Sequence, residues 1–84
     1  MDANVVKTAL KKFVCSEILH NAEYPLKDDE PLITGGLMDS FALAQIGVFA
    51  EIEFKAYIPD AELTVDRMNT IDQMTAKIME KLGG

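Results

Sequence analysis

The apolar residues of this chain recur at steps of three and four, and no stretch alternates apolar with polar residues as a half-buried strand does. Val6, Leu10, Phe13 or Val14, and Ile18 share one face of a first helix, with Lys7, Lys11 and Lys12 lying off it. Asp2 or Asn4 can cap its start. The helix stops before Pro25, because the residue preceding a proline disfavours helical angles. Ile71, Met74, Ile78 and Leu82 form an equally regular stripe on a last helix. Thr70 is its N-cap, Lys77 and Lys81 suit its C-terminal dipole end, and Gly83 suits the C′ position. Between these, Ser40 to Phe54 reads as a second helix that is apolar round most of its circumference. Such a helix is either enclosed or offers an apolar strip to a partner. Gly47 within it costs about 1 kcal/mol against alanine, which points to a close contact there. Lys55 to Thr64 reads as a loop turning at Pro59-Asp60, and a short helix is expected around Val65 to Met68. The fold class expected is all-α: a small four-helix bundle of three main helices plus a short third one, in a single domain over residues 1–84.

Residues 25 to 39 make a long connection, punctuated by Pro25, Pro31 and Gly35-Gly36 and solvated by Asp28-Asp29-Glu30. A loop this long in so small a domain is functional or well packed on itself. Leu26, Leu32, Ile33 and Leu37 give it the side chains to pack. At 84 residues the chain is too short for a barrel enzyme or a two-domain nucleotide enzyme. With 49% hydrophobic residues it is no disordered tail. The net charge is −6, and residues 28 to 66 hold nine carboxylates against one base, Lys55. That balance disfavours nucleic-acid phosphates and anionic lipid as partners and favours a basic protein surface. One cysteine, Cys15, allows no internal disulfide. Met1-Asp2-Ala3-Asn4 shows no basic and then apolar signal pattern, and Phe41 to Ala50 is too short to span a bilayer. A cytoplasmic protein without membrane insertion is the expectation.

The segment Gly35-Gly36-Leu37-Met38-Asp39-Ser40-Phe41 carries the chemistry. It sets a serine at the start of a helix, after a glycine-bearing loop and beside a carboxylate. The Ser40 hydroxyl should be exposed, with free N–H groups of the first turn facing it, and such a terminus tolerates a phosphate. Taken alone, Asp-Ser before a helix is read as a cap. The lone His20 is expected at the far end of the first helix, so no Ser-His-Asp or Cys-His constellation is evident, and the chain is not expected to be an enzyme. Asp28-Asp29-Glu30 lacks the spacing of a calcium loop, so no metal site is expected. Cys15 reads as a small buried residue, and Met38, Met68, Met74 and Met79 as core or adaptable surface.

Over essentially its whole length the chain resembles the acyl and peptidyl carrier protein family. The likeness rests on the amphipathic first helix, the long loop, and Gly36-Leu37-Met38-Asp39-Ser40-Phe41 opening an apolar helix. It continues through Glu53-Phe54, Ile58-Pro59 and Thr70-Ile71. The resemblance implies that Ser40 is the attachment point of 4′-phosphopantetheine and that Asp39 is the acidic neighbour used in transferase recognition. The arm's thiol would carry an acyl or aminoacyl group as a thioester. It implies as partners a phosphopantetheinyl transferase, an acyl- or aminoacyl-loading ligase and a downstream acyltransferase or synthase, all met in trans by a freestanding monomer. Docking would use Phe41, Leu43 and Ala44 on the second helix, with Glu51 and Glu53 at its end. Phe41 to Ala50 contains no glutamate, and Asp-Ser-Phe-Ala-Leu-Ala-Gln is similar to the D-alanyl and aminoacyl carrier branch. Two other readings stand beside this one. One is a cofactor-free acidic helical adaptor whose serine only caps. The other is a sulfur carrier adenylated at the Gly83-Gly84 tail, although the helical period before that tail argues against the sheet such carriers need.

Overall fold

A computed structural model describes residues 2–83, and Met1 and Gly84, half of the Gly83-Gly84 tail, lie outside it. Its first helix, α1, spans Ala3–Phe13 and opens on Asp2, whose Oδ1 accepts the Asn4 N–H at 2.8 Å. The cap left open between Asp2 and Asn4 is therefore Asp2. Beyond Phe13 the chain widens into one π turn, Val14–Ile18, where Leu19 N–H donates to the Val14 carbonyl at 2.8 Å. His20, at a φ of 55°, ends the helical run ahead of Pro25. The second helix, α2, spans Ala42–Phe54 and closes on Lys55 in the left-handed conformation, with Lys55 N–H donating to the Glu51 carbonyl at 2.9 Å. The last helix, α3, spans Ile71–Gly83. Gly83 is thus part of the helix and not the left-handed residue after it.

All the regular structure among the described residues is helical. The fourth helix expected around Val65 to Met68 is not among the α-helices. That stretch is a single turn in which the Thr64 carbonyl accepts from Arg67 N at 3.1 Å and Met68 N at 2.9 Å. A 3-10 turn, Asp60–Glu62, precedes it. Pro59 enters this stretch in an extended conformation, and Thr70 caps α3 at its far end.

One cluster fills the centre. Val6, Leu10 and Val14 from the first helical run meet Leu43, Ile46 and Ala50 from α2 and Ile71, Met74 and Ile78 from α3. The long loop contributes Leu26, Leu32 and Met38, all buried, as expected of a segment packed on itself. Phe49 of α2 stacks on Phe13 of α1 at 4.3 Å between ring centres, and Phe54 meets Phe49 edge-on at 5.6 Å. Gly47 sits where a Cβ would lie 3.0 Å from Leu63 Cδ1, which accounts for a glycine inside α2. Among the described residues no helix is long and apolar enough to cross a membrane.

Two ion clusters fasten the loops to the helices. Asp28 is held by Lys11 at 2.7 Å and Lys7 at 3.1 Å, and Lys7 also reaches Asp72 of α3 at 3.1 Å. Glu62 is held by Lys77 at 2.8 Å and Lys81 at 3.0 Å. These ammonium groups, Lys77 first, pull the Glu62 carboxyl from 4.5 down to about 2. A carboxyl depressed on folding stabilises the fold above its unfolded value and loses that contribution as pH falls. The melting temperature should therefore drop as pH is lowered from about 4.5 towards 2. Glu62→Gln should melt lower at neutral pH and lose part of that acid slope. An unchanged slope would mean that the triad contributes nothing.

Candidate functional site

Schellman geometry in the loop delivers the chain to the mouth of α2. Gly36 N–H donates to the Ile33 carbonyl at 3.1 Å and Leu37 N–H to the Leu32 carbonyl at 2.9 Å, with Gly36 at a φ of 83°. Gly35 lies against the backbone of Pro31, and a Cβ there would fall 2.1 Å from the Pro31 carbonyl oxygen. The turn is anchored from outside by Asn69, just ahead of α3. Its Oδ1 accepts from Ile33 N at 2.8 Å and Thr34 N at 3.2 Å, its Nδ2 donates to Thr34 Oγ1 at 2.9 Å, and its carbonyl accepts from Leu32 N at 2.8 Å. Asn69 is in turn fixed by a capping box. Gln73 N–H donates to Thr70 Oγ1 at 3.0 Å, and Gln73 Oε1 accepts from Asn69 N at 2.8 Å and Thr70 N at 3.2 Å.

Ser40 is exposed, two residues before the first residue of α2. The helix expected from Ser40 begins later because its opening turn is tightened by three-residue bonds. Ala42 N, Leu43 N and Ala44 N donate to the carbonyls of Asp39, Ser40 and Phe41 at 3.1–3.2 Å. Phe41 N–H donates to Asp39 Oδ1 at 3.0 Å. Asp39 thus closes an Asx turn just ahead of α2, whose N-cap, Phe41, has no side-chain cap, and the exposed Ser40 hydroxyl takes no part in the turn. The N–H groups of Phe41, Ala42 and Leu43 are already engaged. The free donors expected to face Ser40 are thus absent at those positions, and what remains to favour negative charge is the helix dipole.

The expected docking residues divide. Phe41 is 82% exposed, and Ala44, Glu51 and Glu53 are also on the surface. Leu43 is a correction. It is 1% exposed and lies in the core, because it falls on the helix face shared with Ile46 and Ala50. The outward stripe of α2 instead runs Phe41, Ala44, Val48 (58% exposed) and Ile52 (75% exposed). Steps of three and four from Phe41 could have found Val48 and Ile52. The acidic surface is narrower than the sequence count suggests, since Asp28 and Glu62 are neutralised by lysines from the flanking helices. Asp29, Asp39, Glu51, Glu53, Asp60 and Asp66 stay exposed.

Elsewhere the chemistry-bearing groups are quiet. Cys15 is buried, its Sγ–H facing the Tyr24 carbonyl at 3.8 Å, and burial pushes its thiol up, so it is a poor nucleophile. His20 is exposed at the end of the π turn and lines an open groove with Asp39 and Phe41. Among the described residues no group of three or more His, Cys, Asp or Glu is placed to hold a metal ion. The donor set at the helix mouth suits a group attached covalently through one hydroxyl: an accessible oxygen, a neighbouring carboxylate already oriented, and room beside them. Comparison of the chain with protein-family models, with curated proteins and with solved structures finds no match.

Proposed function

We propose that this chain is an acyl or aminoacyl carrier protein, a four-helix-type carrier bundle whose short third helix is reduced to turns, and that Ser40 is the attachment point of a 4′-phosphopantetheine arm. The observation that carries the reading is the division of labour at the mouth of α2. Asp39, not Ser40, accepts the Phe41 N–H in the turn that leads into α2, and the exposed serine beside it holds no hydrogen bond there. A serine that only caps, as the adaptor reading requires, would hold that bond itself.

A phosphopantetheinyl transferase would act on Ser40 with coenzyme A as donor. The Oγ–P bond forms, the bond to the adenosine bisphosphate leaving group breaks, and the hydroxyl proton passes to a base on the transferase. The arm, when attached, supplies a thiol on which a ligase or acyltransferase loads cargo as a thioester. The loaded carrier, acting as a cytoplasmic monomer, then presents that cargo to a downstream acyltransferase or synthase. The exposed strip of Phe41, Ala44, Val48 and Ile52, with Glu51 and Glu53 at its far end, would meet these enzymes, and the exposed acids would speed encounter with basic surfaces. Added salt should slow that encounter.

The test is incubation of the purified chain with coenzyme A, magnesium and a promiscuous transferase, followed by an intact mass. One phosphopantetheine adduct is expected on the natural chain and none on Ser40→Ala, which should fold normally because its hydroxyl is exposed. An unmodified natural chain, or an adduct that persists on Ser40→Ala, defeats the proposal. The sulfur-carrier reading predicts instead an adenylate or thiocarboxylate at Gly84.

A further inference from the structure

We infer, resting on that reading, that His20 is the residue that holds the phosphate of the arm at Ser40. A phosphodiester on Ser40 Oγ brings a negative charge and unbridged oxygens that accept hydrogen bonds. It arrives beside the Asp39 carboxylate, at a helix mouth where the N–H groups of Phe41, Ala42 and Leu43 are already engaged. Those positions leave it no donor, so side chains must supply one. Asp39 and Phe41, the two neighbours of Ser40, line an open groove of about 450 Å³. Of the side chains lining it, only those of His20 and Gln45 can donate a hydrogen bond, and only His20 can carry positive charge. The other charges of the groove, Glu17 and Asp39, have the same sign as the phosphate. A ring N–H of His20 is thus the one group there that answers both the charge and the acceptors.

Two backbone irregularities place that ring in the groove. The π turn Val14–Ile18 follows α1, and π turns are rare and gather at functional sites. Leu19 N–H then donates to the Val14 carbonyl and Asn21 N–H to the Cys15 carbonyl, each at 2.8 Å, and His20 between them takes a φ of 55°. That left-handed position just past a helix end is the usual place of glycine, which adopts it without strain. A histidine there gives up conformational ease for the sake of a side chain. The fold makes no use of the side chain, which is exposed and holds no hydrogen bond or ion pair among the described residues. An unfavourable backbone state that serves no packing points to a function for the residue that adopts it.

The test uses the full chain converted with coenzyme A and the transferase, with the arm confirmed by intact mass and no cargo loaded. Imidazole nitrogen resonances are compared before and after conversion, and the phosphorus resonance of the arm is compared between the natural chain and variants. His20 is the only histidine, so its ring signals are unambiguous. They should shift on conversion. In His20→Gly the phosphorus resonance should move from its natural position, whereas in Gln45→Ala it should stay. His20→Gly should melt close to the natural chain, because glycine accepts a φ of 55° and the lost side chain is exposed. Ring signals indifferent to conversion would overturn the proposal. So would a phosphorus resonance that is the same in the natural and His20→Gly chains, or one displaced by Gln45→Ala alone. Each of these results leaves the carrier reading standing, whereas a natural chain that gains no arm removes the carrier reading and the role of His20 together.

Discussion

Gly35→Ala should destabilise this protein more than any other single methyl added to its surface. The new Cβ would stand 2.1 Å from the Pro31 carbonyl oxygen, and that neighbour is backbone, which cannot rotate aside. Overpacking of this kind costs about 1–3 kcal/mol. For a domain of this size that corresponds to a melting temperature lowered by about 4–24 °C. The loss should be local as well as global, because the Leu32–Leu37 turn would have to open to relieve the clash. Transferase modification of Ser40 should slow, since the loop sets the position of Asp39. Gly36→Ala is the useful companion. No atom lies within 4 Å of its added Cβ, and its cost comes only from a φ of 83°, about 1–2 kcal/mol. Thermal melts of the two variants beside the natural chain check the account. A Gly35→Ala chain that melts with the natural one would show that Pro31 is not packed against it.

Asn69→Ala is the second large effect. The side chain accepts two backbone N–H groups of the long loop and donates to Thr34 Oγ1. At about 1 kcal/mol for each hydrogen bond lost, the variant should be less stable by about 3 kcal/mol. Amide exchange at Ile33 and Thr34 should rise with it. Asn69→Asp keeps the acceptor and loses only the donor, so it should retain most of the stability. Equal losses in the two variants would mean that the bonds to Ile33 and Thr34 carry no weight.

Helical periodicity made α1, α2 and α3 legible, since each needs only local spacing and a cap that the sequence displays. The ends were less legible because tertiary contacts set them. The π turn after Phe13 swings Cys15 and Val14 into the core, and no local pattern announces it. The start of α2 lies at Ala42 and not at Ser40 because the chain from Asp39 to Ala44 is tightened by three-residue bonds, which spacing alone does not show. Leu43 is not distinguishable from the outer strip by sequence, because a helix apolar nearly all round does not declare which face is buried. Its burial in the common core with Ile46 and Ala50 shows which face that is. The role of Asn69 is illegible in the sequence for a different reason. Its partners lie 35 and 36 residues away in sequence, so only the folded chain shows them. The Thr70-x-x-Gln73 box beside it was readable and would have flagged this corner as tightly ordered. The charge count misled in one respect: it treated Asp28 and Glu62 as surface charge, whereas lysines brought from other helices absorb both.

On the reading proposed above, the exposed Ser40 hydroxyl is the group that receives the arm. Tandem mass spectrometry of the transferase-treated chain tests it most directly, by reading the peptide that contains Gly36 to Ala44. A single phosphopantetheine on that peptide, located at Ser40, is the expected result. An arm found at another residue, or a peptide that stays unmodified while a known carrier in the same tube is converted, would contradict it.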